Sequence, residues 1–364
     1  MPRSKVWDVI ICGAGIGGAI AAEVLAAKGF TTLLLEKHTI PRYKVCGGAV
    51  SQEFVDRFKL PDDIIARHVE YLVLHHIDHQ VFEKKGRGAC IWRANLDAFF
   101  TKNAVTAGAT LKENSQVIAA HLDDDTYHVH TPNNRFRART LIAADGVSST
   151  ILRCFGWNRF TSDDVAHTIT HEIELGETTI ARRFGDQHLH LYFGHRVSQM
   201  GYGWVFPKRK TVSVGWGCRL SLIRNITKSF TSFLDLLSEE LEGGKLVRKA
   251  AHLIPAALRR RFGVGGLLAV GDAAGLVDPI SGKGITYAAT SGRLAAKVMI
   301  QALETETIPD AAAVYQSLLE KSLLNGLKSK KTIQTDIYRT EENIHRFLQL
   351  WLDNRATVIA SSLW

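Results

Sequence analysis

The sequence has few cysteines, no long apolar run and no metal-binding motif. Its five cysteines form no Cys-x-x-Cys pair, which argues against a disulfide framework or a cysteine zinc site and predicts a reducing, cytoplasmic location. No stretch of about 18–20 uncharged apolar residues occurs, so we predict no membrane-spanning helix. Asp8 and Glu23 interrupt the apolar N-terminal stretch, and we predict no targeting segment. The 15 histidines include no zinc-protease spacing, so no metal site is predicted.

Acidic residues are outnumbered by basic ones, which gives the chain a net charge of +9 and a pI near 9.3. This excess indicates an anionic ligand, an anionic membrane surface or nucleic acid, and it does not choose among them. The basic runs are short and lack interleaved aromatic residues, so no nucleic-acid partner is predicted. A length of 364 residues favours two intertwined domains over one core.

A glycine motif follows the apolar residues 9–12 and precedes a helical pattern. A second apolar run, residues 31–35, ends at an acidic residue at about the spacing expected for a group that accepts hydrogen bonds from ribose hydroxyls. Strand, glycine turn, helix and acid together predict a dinucleotide site with phosphate at the helix N-terminus. The residues assigned to the cofactor by this pattern are Gly13, Gly15, Gly18, Glu36 and the adjacent Lys37.

A second strand-to-glycine junction occurs much later, where residues 267–270 run into Gly271 and Asp272. Asp272 is placed to accept a hydrogen bond from a ribityl chain or ribose. The glycines that follow let backbone N–H groups and a new helix approach the carbonyl edge of an isoalloxazine. Together the two motifs predict a single FAD held from both ends of the sequence. The cofactor residues predicted here are Asp272, Pro279, Gly282, Gly284 and Ile285.

The change of periodicity along the chain predicts an α/β fold, α+β overall. We expect a Rossmann-type FAD-binding domain of discontinuous segments, with an inserted antiparallel-sheet substrate domain and C-terminal helices. The predicted ranges are 1–70, 93–165 and 255–300 for the FAD-binding domain, 71–92 and 166–254 for the substrate-binding domain, and 301–364 for the C-terminal helices. Within them we predict one strand over 110–122, mainly strands over 167–218 and a helix over 226–241.

Tyr202, Trp204 and Phe206 alternate, so in a strand they share one face and form an aromatic wall. Such a wall suits an isoprenoid chain, and ordinary sheet core is the alternative. Lys208 is predicted to meet a diphosphate or phospholipid headgroup. Cys46 lies between small residues in a loop and is predicted to line the pocket or to take part in proton handling.

The order of these motifs resembles the flavoprotein superfamily that includes p-hydroxybenzoate hydroxylase and, within it, the geranylgeranyl reductase family, over nearly the whole chain. The glycine motifs, Glu36 and the pair Asp145 and Gly146 are shared by the superfamily. Two segments are narrower: residues 41–48, PRYKVCGG, and residues 202–208, YGWVFPK. The latter is similar to the Y-x-W-x-F-P-K segment that lines the prenyl pocket of geranylgeranyl reductases.

The resemblance extends to three further cofactor residues. Asp145 and Gly146 are predicted to hold the middle of the nucleotide, although a simple strand-end turn has the same sequence. Arg93 resembles the superfamily's arginine near the pyrophosphate and flavin, with a solvated arginine as the alternative.

The resemblance implies an FAD-dependent reductase of carbon–carbon double bonds in a prenyl (geranylgeranyl-type) lipid or diphosphate. A hydride goes to one alkene carbon and a proton to the other, and Cys46, Tyr202 or a water is the expected proton donor. No second dinucleotide motif is present, so the electron donor is either NAD(P)H that docks transiently or a reduced redox protein. The alternative on this fold is a monooxygenase or halogenase of an aromatic or other small substrate. An electron-transfer module would need a second redox centre, for which the dispersed cysteines offer no ligand set.

The C-terminal apolar residues follow a basic stretch and allow two interpretations. One is an interfacial anchor that gives the enzyme peripheral contact with a membrane. The other, which we favour, is a helix packed on the flavin domain. The apolar residues concerned are Phe347, Leu348, Leu350, Trp351, Leu352, Val358, Ile359, Leu363 and Trp364.

Overall fold

The computed structural model describes residues 5–76 and 80–353. The strands in these ranges are β1 (Val6–Cys12), β2 (Thr32–Leu35), β3 (Ala49–Ser51), β4 (Ile65–His76), β5 (Val81–Ile91), β6 (Thr110–Lys112), β7 (Ala119–Asp123), β8 (Thr126–His130), β9 (Arg135–Ala143), β10 (Val165–Glu174), β11 (His188–Phe193), β12 (Gly201–Pro207), β13 (Thr211–Arg219), β14 (Lys245–Pro255), β15 (Gly263–Val264) and β16 (Leu267–Ala269). The helices are α1 (Ile16–Ala26), α2 (Gln52–Phe58), α3 (Arg93–Thr106), α4 (Thr150–Cys154), α5 (Glu177–Phe184), α6 (Ile226–Asp235), α7 (Ile285–Glu304), α8 (Ala311–Leu319), α9 (Asn325–Ile337) and α10 (Glu341–Leu352).

The first sheet has the strand order β15-β16-β9-β1-β2-β6, and β7 and β8 join it through β8 and β9. Its central strand β1 is apolar without alternation because both faces are covered; Val9, Ile10 and Ile11 are fully buried. Strands β1, β2, β9 and β16 are parallel to one another. The carboxyl ends of β1 and β16 therefore lie at the same edge of the sheet, where the two glycine motifs begin.

The second sheet has the strand order β14-β10-β13-β12-β11-β4-β5-β3 and is antiparallel except where β11 pairs with β4. Because side chains alternate along a strand, its two faces have different neighbours. Val205 and Trp216 face the side that packs against α5 and α6. Leu191 and Trp204 lie on the opposite side, in a cluster with α10. The predicted fold class is confirmed: one largely parallel sheet, one largely antiparallel sheet and C-terminal helices.

The C-terminal helix α10 packs against the second sheet. Phe347, Leu348 and Trp351 are buried in the cluster that contains Leu191 and Trp204. Packing of the helix matches the burial of these three residues, but the predicted packing on the flavin domain is wrong, because their neighbours belong mainly to strands of the second sheet. Val358, Ile359, Leu363 and Trp364 lie outside the described residues. No helix in the described ranges combines the length and apolar character needed to cross a bilayer.

The structure departs from the local predictions at several places. Residues 110–122 form β6 and β7 rather than one strand, because Asn114 adopts a left-handed φ of 50° and turns the chain. The helix predicted over 226–241 ends at Asp235 and is followed by turns. The second sheet also takes in β3 and the first residues of β4, which the predicted boundary at residue 70 assigned to the first domain. Within 167–218, the short helix α5 was not predicted.

Helices α1 and α7 approach closely through two glycines. A Cβ atom placed on Gly292 would lie 2.2 Å from the backbone oxygen of Gly17, and one placed on Gly17 would lie 2.9 Å from the oxygen of Ala288. Real Cβ atoms do not approach oxygen so closely, so any side chain would force the helices apart. The contact therefore joins α1, which contains Gly17 and Gly18 of the first glycine motif, to α7, which follows the second glycine motif.

We expect Gly292→Ala to lower the free energy of unfolding by about 1–3 kcal/mol, because the added methyl group overpacks the α1–α7 contact. Urea unfolding of the FAD-loaded protein measures it. Gly326→Ala is the matched control: its added Cβ meets no atom within 4 Å, and it lies in a helix. The control should gain about 0.5–1 kcal/mol. Equal stability of the two variants would contradict this account of the helix contact.

Candidate active site

A cavity of about 370 Å³ lies between the two sheets, where the glycine turns after β1 and β16 meet the aromatic face of β12. Segments far apart in sequence contribute to its wall. The sequence-predicted residues that line it are Gly15, Gly18, Cys46, Arg93, Gly146, Tyr202, Trp204, Phe206, Asp272, Pro279, Gly282, Gly284 and Ile285. The other predicted residues, Gly13, Glu36, Lys37, Asp145 and Lys208, are not part of this lining.

The three glycines of the first motif have different physical roles. A Cβ on Gly13 would lie 2.3 Å from the backbone oxygen of Ala144, and one on Gly18 would lie 2.0 Å from the oxygen of Gly13. Both are required for the turn itself. Gly15 is different, because a Cβ there meets no atom within 4 Å and would project into the cavity. Open space beside the N-terminus of α1 fits the phosphate group of a ligand. We call this space beside Gly15 the cradle.

Glu36 is fixed at the end of β2 with its carboxylate fully engaged. It accepts hydrogen bonds from the backbone N–H groups of Ala14 at 3.0 Å and His38 at 3.1 Å, and it pairs with Arg42 at 3.3 Å. Arg42 also pairs with the buried Asp97 at 2.9 Å. The acid predicted for the ribose is thus held rigidly by the chain. The neighbouring Lys37, also predicted, is exposed.

Arg93 begins α3 and is buried against Asp97, with its Nε atom 2.9 Å from the carboxylate. The buried carboxylate of Asp97 therefore forms ion pairs with two arginines, Arg42 and Arg93. Because the ion pair fixes the guanidinium while the residue lines the cavity, Arg93 can hold an anionic ligand without reorganising. The alternative of a solvated arginine is wrong.

The carboxylate of Asp145 is used by the protein. It accepts hydrogen bonds from the Ser149 hydroxyl at 2.5 Å and from the N–H groups of Thr150 at 2.7 Å and Ile151 at 3.1 Å. Burial raises the pKa of Asp145. The predicted contact of Asp145 with the nucleotide is at odds with this placement, because the side chain completes the start of α4. Its neighbour Gly146 lines the cavity.

The second motif carries charged groups at the cavity wall. Asp272 lies 3.6 Å from the ammonium of Lys44, which belongs to the loop after β2. Asp278 is buried, accepts hydrogen bonds from the N–H groups of Ile280 and Ser281, each at 3.0 Å, and pairs with Lys330 at 2.7 Å. The turn that precedes α7 is therefore fixed by a buried ion pair between the second motif and α9.

Helix α7 begins at Ile285 with no side-chain cap, so its first N–H groups are free to face the cavity. Lys283 lines the cavity just before this helix and was not predicted as a site residue. Burial lowers its pKa to about 8, with Lys330 acting in the same direction and Asp278 opposing it. The sequence signal was a lysine between the two motif glycines, Gly282 and Gly284.

The aromatic wall of β12 lies against glycines. A Cβ on Gly47 would fall 2.3 Å from the ring of Phe206, and one on Gly215 would fall 2.0 Å from the ring of Trp204. The wall is continued by aliphatic side chains from strands β4 and β11, namely Leu72, Leu189 and Leu191. The predicted alternation of the aromatic residues thus produces an apolar arm of the cavity.

Cys46 and Tyr202 both line the cavity but differ in their contacts. The hydroxyl of Tyr202 donates a hydrogen bond to the backbone oxygen of Ser281. Burial, with smaller contributions from Asp278 and Cys46, raises the pKa of Tyr202 well above its ordinary value. Cys46 is a free, partly buried thiol in the loop before β3.

The prediction for Lys208 is corrected by its surroundings. Its side chain is 1% exposed and lies 3.6 Å from the carboxylate of Glu172, with the hydroxyl of Ser213 between them. The ammonium is also 4.1 Å from the ring centroid of Trp92. A lysine paired in the core cannot reach a headgroup, because leaving Glu172 unpaired would cost several kcal/mol.

Residues 6–317 match the family described as FAD binding domain. The chain belongs to this family. A geranylgeranyl diphosphate reductase from Synechocystis sp. is 29% identical over 371 aligned positions, which span 96% of this chain and 89% of the relative. The crystal structure of a geranylgeranyl bacteriochlorophyll reductase-like protein from Thermoplasma acidophilum superposes with a TM-score of 0.88 at 22% identity, covering 99% of this chain and 96% of that one. The flavin-dependent brominase Bmp2 gives a TM-score of 0.78 at 16% identity, over 98% and 93% of the two chains.

These similarities confirm an FAD-dependent oxidoreductase related to geranylgeranyl reductases. The cradle beside Gly15, the free N-terminus of α7 and the fixed Arg93 fit the cofactor that the family binds. FAD supplies the hydride chemistry when it is bound, and the protein supplies binding, orientation and the surrounding charge.

We expect Gly15→Ala to weaken FAD binding at least about tenfold, equivalent to ~1.4 kcal/mol. Alanine can adopt the φ of −72° at this position, so the apoprotein should unfold at the same urea concentration as the wild type. The loss would arise because the methyl group occupies space needed by the dinucleotide. Quenching of FAD fluorescence during titration of the apoprotein measures the affinity, with Gly326→Ala as the control. Unchanged affinity in the variant would show that the cofactor lies elsewhere.

Proposed function

We propose that the protein reduces carbon–carbon double bonds in a prenyl chain of a geranylgeranyl-type lipid or diphosphate, using FAD. The observation that carries this proposal is the apolar arm that adjoins the FAD cradle in one cavity. Its wall is built from Trp204, Phe206 and the three leucines of β4 and β11. The relative from Synechocystis, named a geranylgeranyl diphosphate reductase, supports the same substrate class.

An apolar arm is what an isolated alkene requires. The alkene has no polar group that hydrogen bonds could orient, so its alignment depends on shape and on burial of hydrocarbon at about 25 cal/mol per Å². The rings of Trp204 and Phe206 lie against Gly215 and Gly47, which keeps them in place. A wall without charged groups also excludes water from the reacting carbon.

Protonation of the second carbon requires an acid at the same cavity. Tyr202 is poorly suited, because its proton is engaged with the oxygen of Ser281 and burial raises its pKa. Cys46 lies in the wall as a partly buried thiol. Lys283 has a pKa of about 8, close to neutral pH, and a general acid is most efficient when its pKa lies near the pH at which it acts. We therefore propose Lys283 as a second candidate proton donor, in addition to Cys46.

The proposal includes an external electron source and a cellular setting. The donor is NAD(P)H that docks transiently or a reduced redox protein, since the sequence contains one dinucleotide motif. The excess of positive charge and a lipid substrate favour a cytoplasmic enzyme with peripheral contact at an anionic membrane.

An anaerobic experiment tests the reaction. The FAD-loaded protein is reduced with dithionite, and geranylgeranyl diphosphate or a geranylgeranylated phospholipid is added without oxygen. We expect the flavin absorbance to return and the lipid to gain two mass units for each double bond that is reduced, as measured by mass spectrometry. An aromatic acid serves as the control substrate and should leave the flavin reduced.

The alternative function is a monooxygenase or halogenase, which the fold of the brominase keeps open. It would leave the flavin reduced in the anaerobic mixture. Reoxidation only after air is admitted, with oxygen or halogen in the product, would replace the reductase proposal by this one.

A pH profile tests Lys283. The ammonium is protonated below its pKa of about 8 and loses the proton above it, so kcat/KM should fall as the pH rises through about 8. Lys283→Gln should lower kcat/KM and abolish this descending limb, measured with FAD at saturation. Cys46→Ser is the comparison variant and should keep the limb. If Lys283→Gln keeps the limb while Cys46→Ser loses it, the thiol is the donor.

A further inference from the structure

The end of the cavity opposite Phe206 has a different character from the aromatic wall. There the backbone N–H of Arg219 donates to the oxygen of Met200 at 3.1 Å, which places the last residue of β13 beside the residue that precedes β12. Arg219, Met200 and Phe206 all line the cavity. At about 3.4 Å per residue, the strand from Met200 to Phe206 spans roughly 20 Å.

Two cations meet at this end. A terminal nitrogen of Arg219 donates to the side-chain oxygen of Gln334 at 3.0 Å, and the Nε atom of Arg219 is buried without a hydrogen-bond partner among the described residues. Lys331 of α9 donates to the same oxygen at 3.3 Å and to the backbone oxygen of Ala256 at 2.8 Å. Ala256 and Gln334 also line the cavity. Within the described ranges, neither cation forms an ion pair with a carboxylate.

Such an arrangement is unfavourable in the protein alone. Burial, with the charge of Arg219 acting in the same direction and Asp164 and Asp163 opposing, lowers the pKa of Lys331 to about 8. Two adjacent cations in a partly dry site repel each other and lose solvation. An anion at the cavity end would relieve both costs.

We propose that Arg219, with Lys331 behind it, binds the phosphate headgroup of an amphiphilic substrate whose chain runs along the aromatic wall. This inference rests on the reductase proposal for the chain. It moves the headgroup contact from Lys208, which is neutralised in the core by Glu172, to the opposite end of the same strand. A guanidinium matches phosphate oxygens in a planar, two-point contact, and a second cation suits a group with more than one negative charge.

The shared chemistry is a phosphate ester, which occurs both in prenyl diphosphates and in phospholipids. Binding is measured by calorimetry on the oxidised, FAD-loaded protein, so that the pyrophosphate site of the cofactor is filled. The probes are inorganic pyrophosphate, geranylgeranyl diphosphate, a geranylgeranylated phospholipid in detergent micelles and the uncharged geranylgeraniol.

Arg219→Gln should weaken binding of the phosphate-bearing probes by about 10–100-fold, the worth of a charge-assisted hydrogen bond. Binding of geranylgeraniol should change less than about twofold, because the apolar wall is intact. Lys331→Gln should give a smaller loss with the same preference for charged probes, and Arg219→Lys should recover part of the affinity. Arg209→Gln is the matched control, since Arg209 is exposed in the turn after β12 and should have no effect.

Unchanged affinity of Arg219→Gln for both prenyl anions would overturn the proposal, and so would an equal loss for geranylgeraniol. The tighter of the two anionic lipids identifies the source of the phosphate. The result is separable from the reductase test: anion binding that depends on Arg219 without alkene reduction keeps this site and removes the reaction. If Arg219→Gln reduces the alkene with an unchanged KM for the diphosphate, the reaction is kept and the proposed headgroup site is removed.

Discussion

The parallel pairing of β1, β9 and β16 is the constraint on which the site depends. Strand β9 lies between the other two, so the carboxyl ends of β1 and β16 fall at one edge although more than 250 residues separate them. The glycine turns that follow both strands are thereby brought to the same cavity, and Gly17 and Gly292 lock the helices behind them. The residues of β4, β11 and β12 that line the cavity lie opposite this edge of the first sheet.

The sequence was most informative where chemistry and backbone geometry are local. A glycine turn between a buried strand and a helix has few alternative structures, and the fold class and the FAD family followed from two such turns. The aromatic wall was also predictable, because alternation along one strand fixes the face of Trp204 and Phe206 without knowledge of other strands. Its position beside the cradle was not, since that depends on how the second sheet is inserted.

Charged side chains were the least predictable part of the site. Lys208 lies two residues after Phe206, yet its ammonium contacts Ser213 of β13, the register partner of Phe206, and Glu172 of β10. Asp145 belongs to a shared motif, and its carboxylate accepts hydrogen bonds at the start of a helix that begins five residues later. Arg219 carries no motif at all. For Lys208 and Arg219 the outcome depends on partners distant in sequence, which periodicity does not reveal. For Asp145 the partners are local, but a strand-end turn and a nucleotide contact have the same sequence.

Buried cations in the described ranges fall into two groups: those paired with a carboxylate of the chain, which stabilise the fold, and those without such a partner, which can bind an anionic ligand. The pairs Lys208–Glu172, Lys330–Asp278 and Arg93–Asp97 are each closed within the chain, so their desolvation is offset before anything binds. Lys283, Arg219 and Lys331 have no such carboxylate partner in the described ranges, and each lies in or directly behind the cavity wall. Cations at this cavity favour the binding of negative charge there, which the cofactor and the proposed substrate would supply.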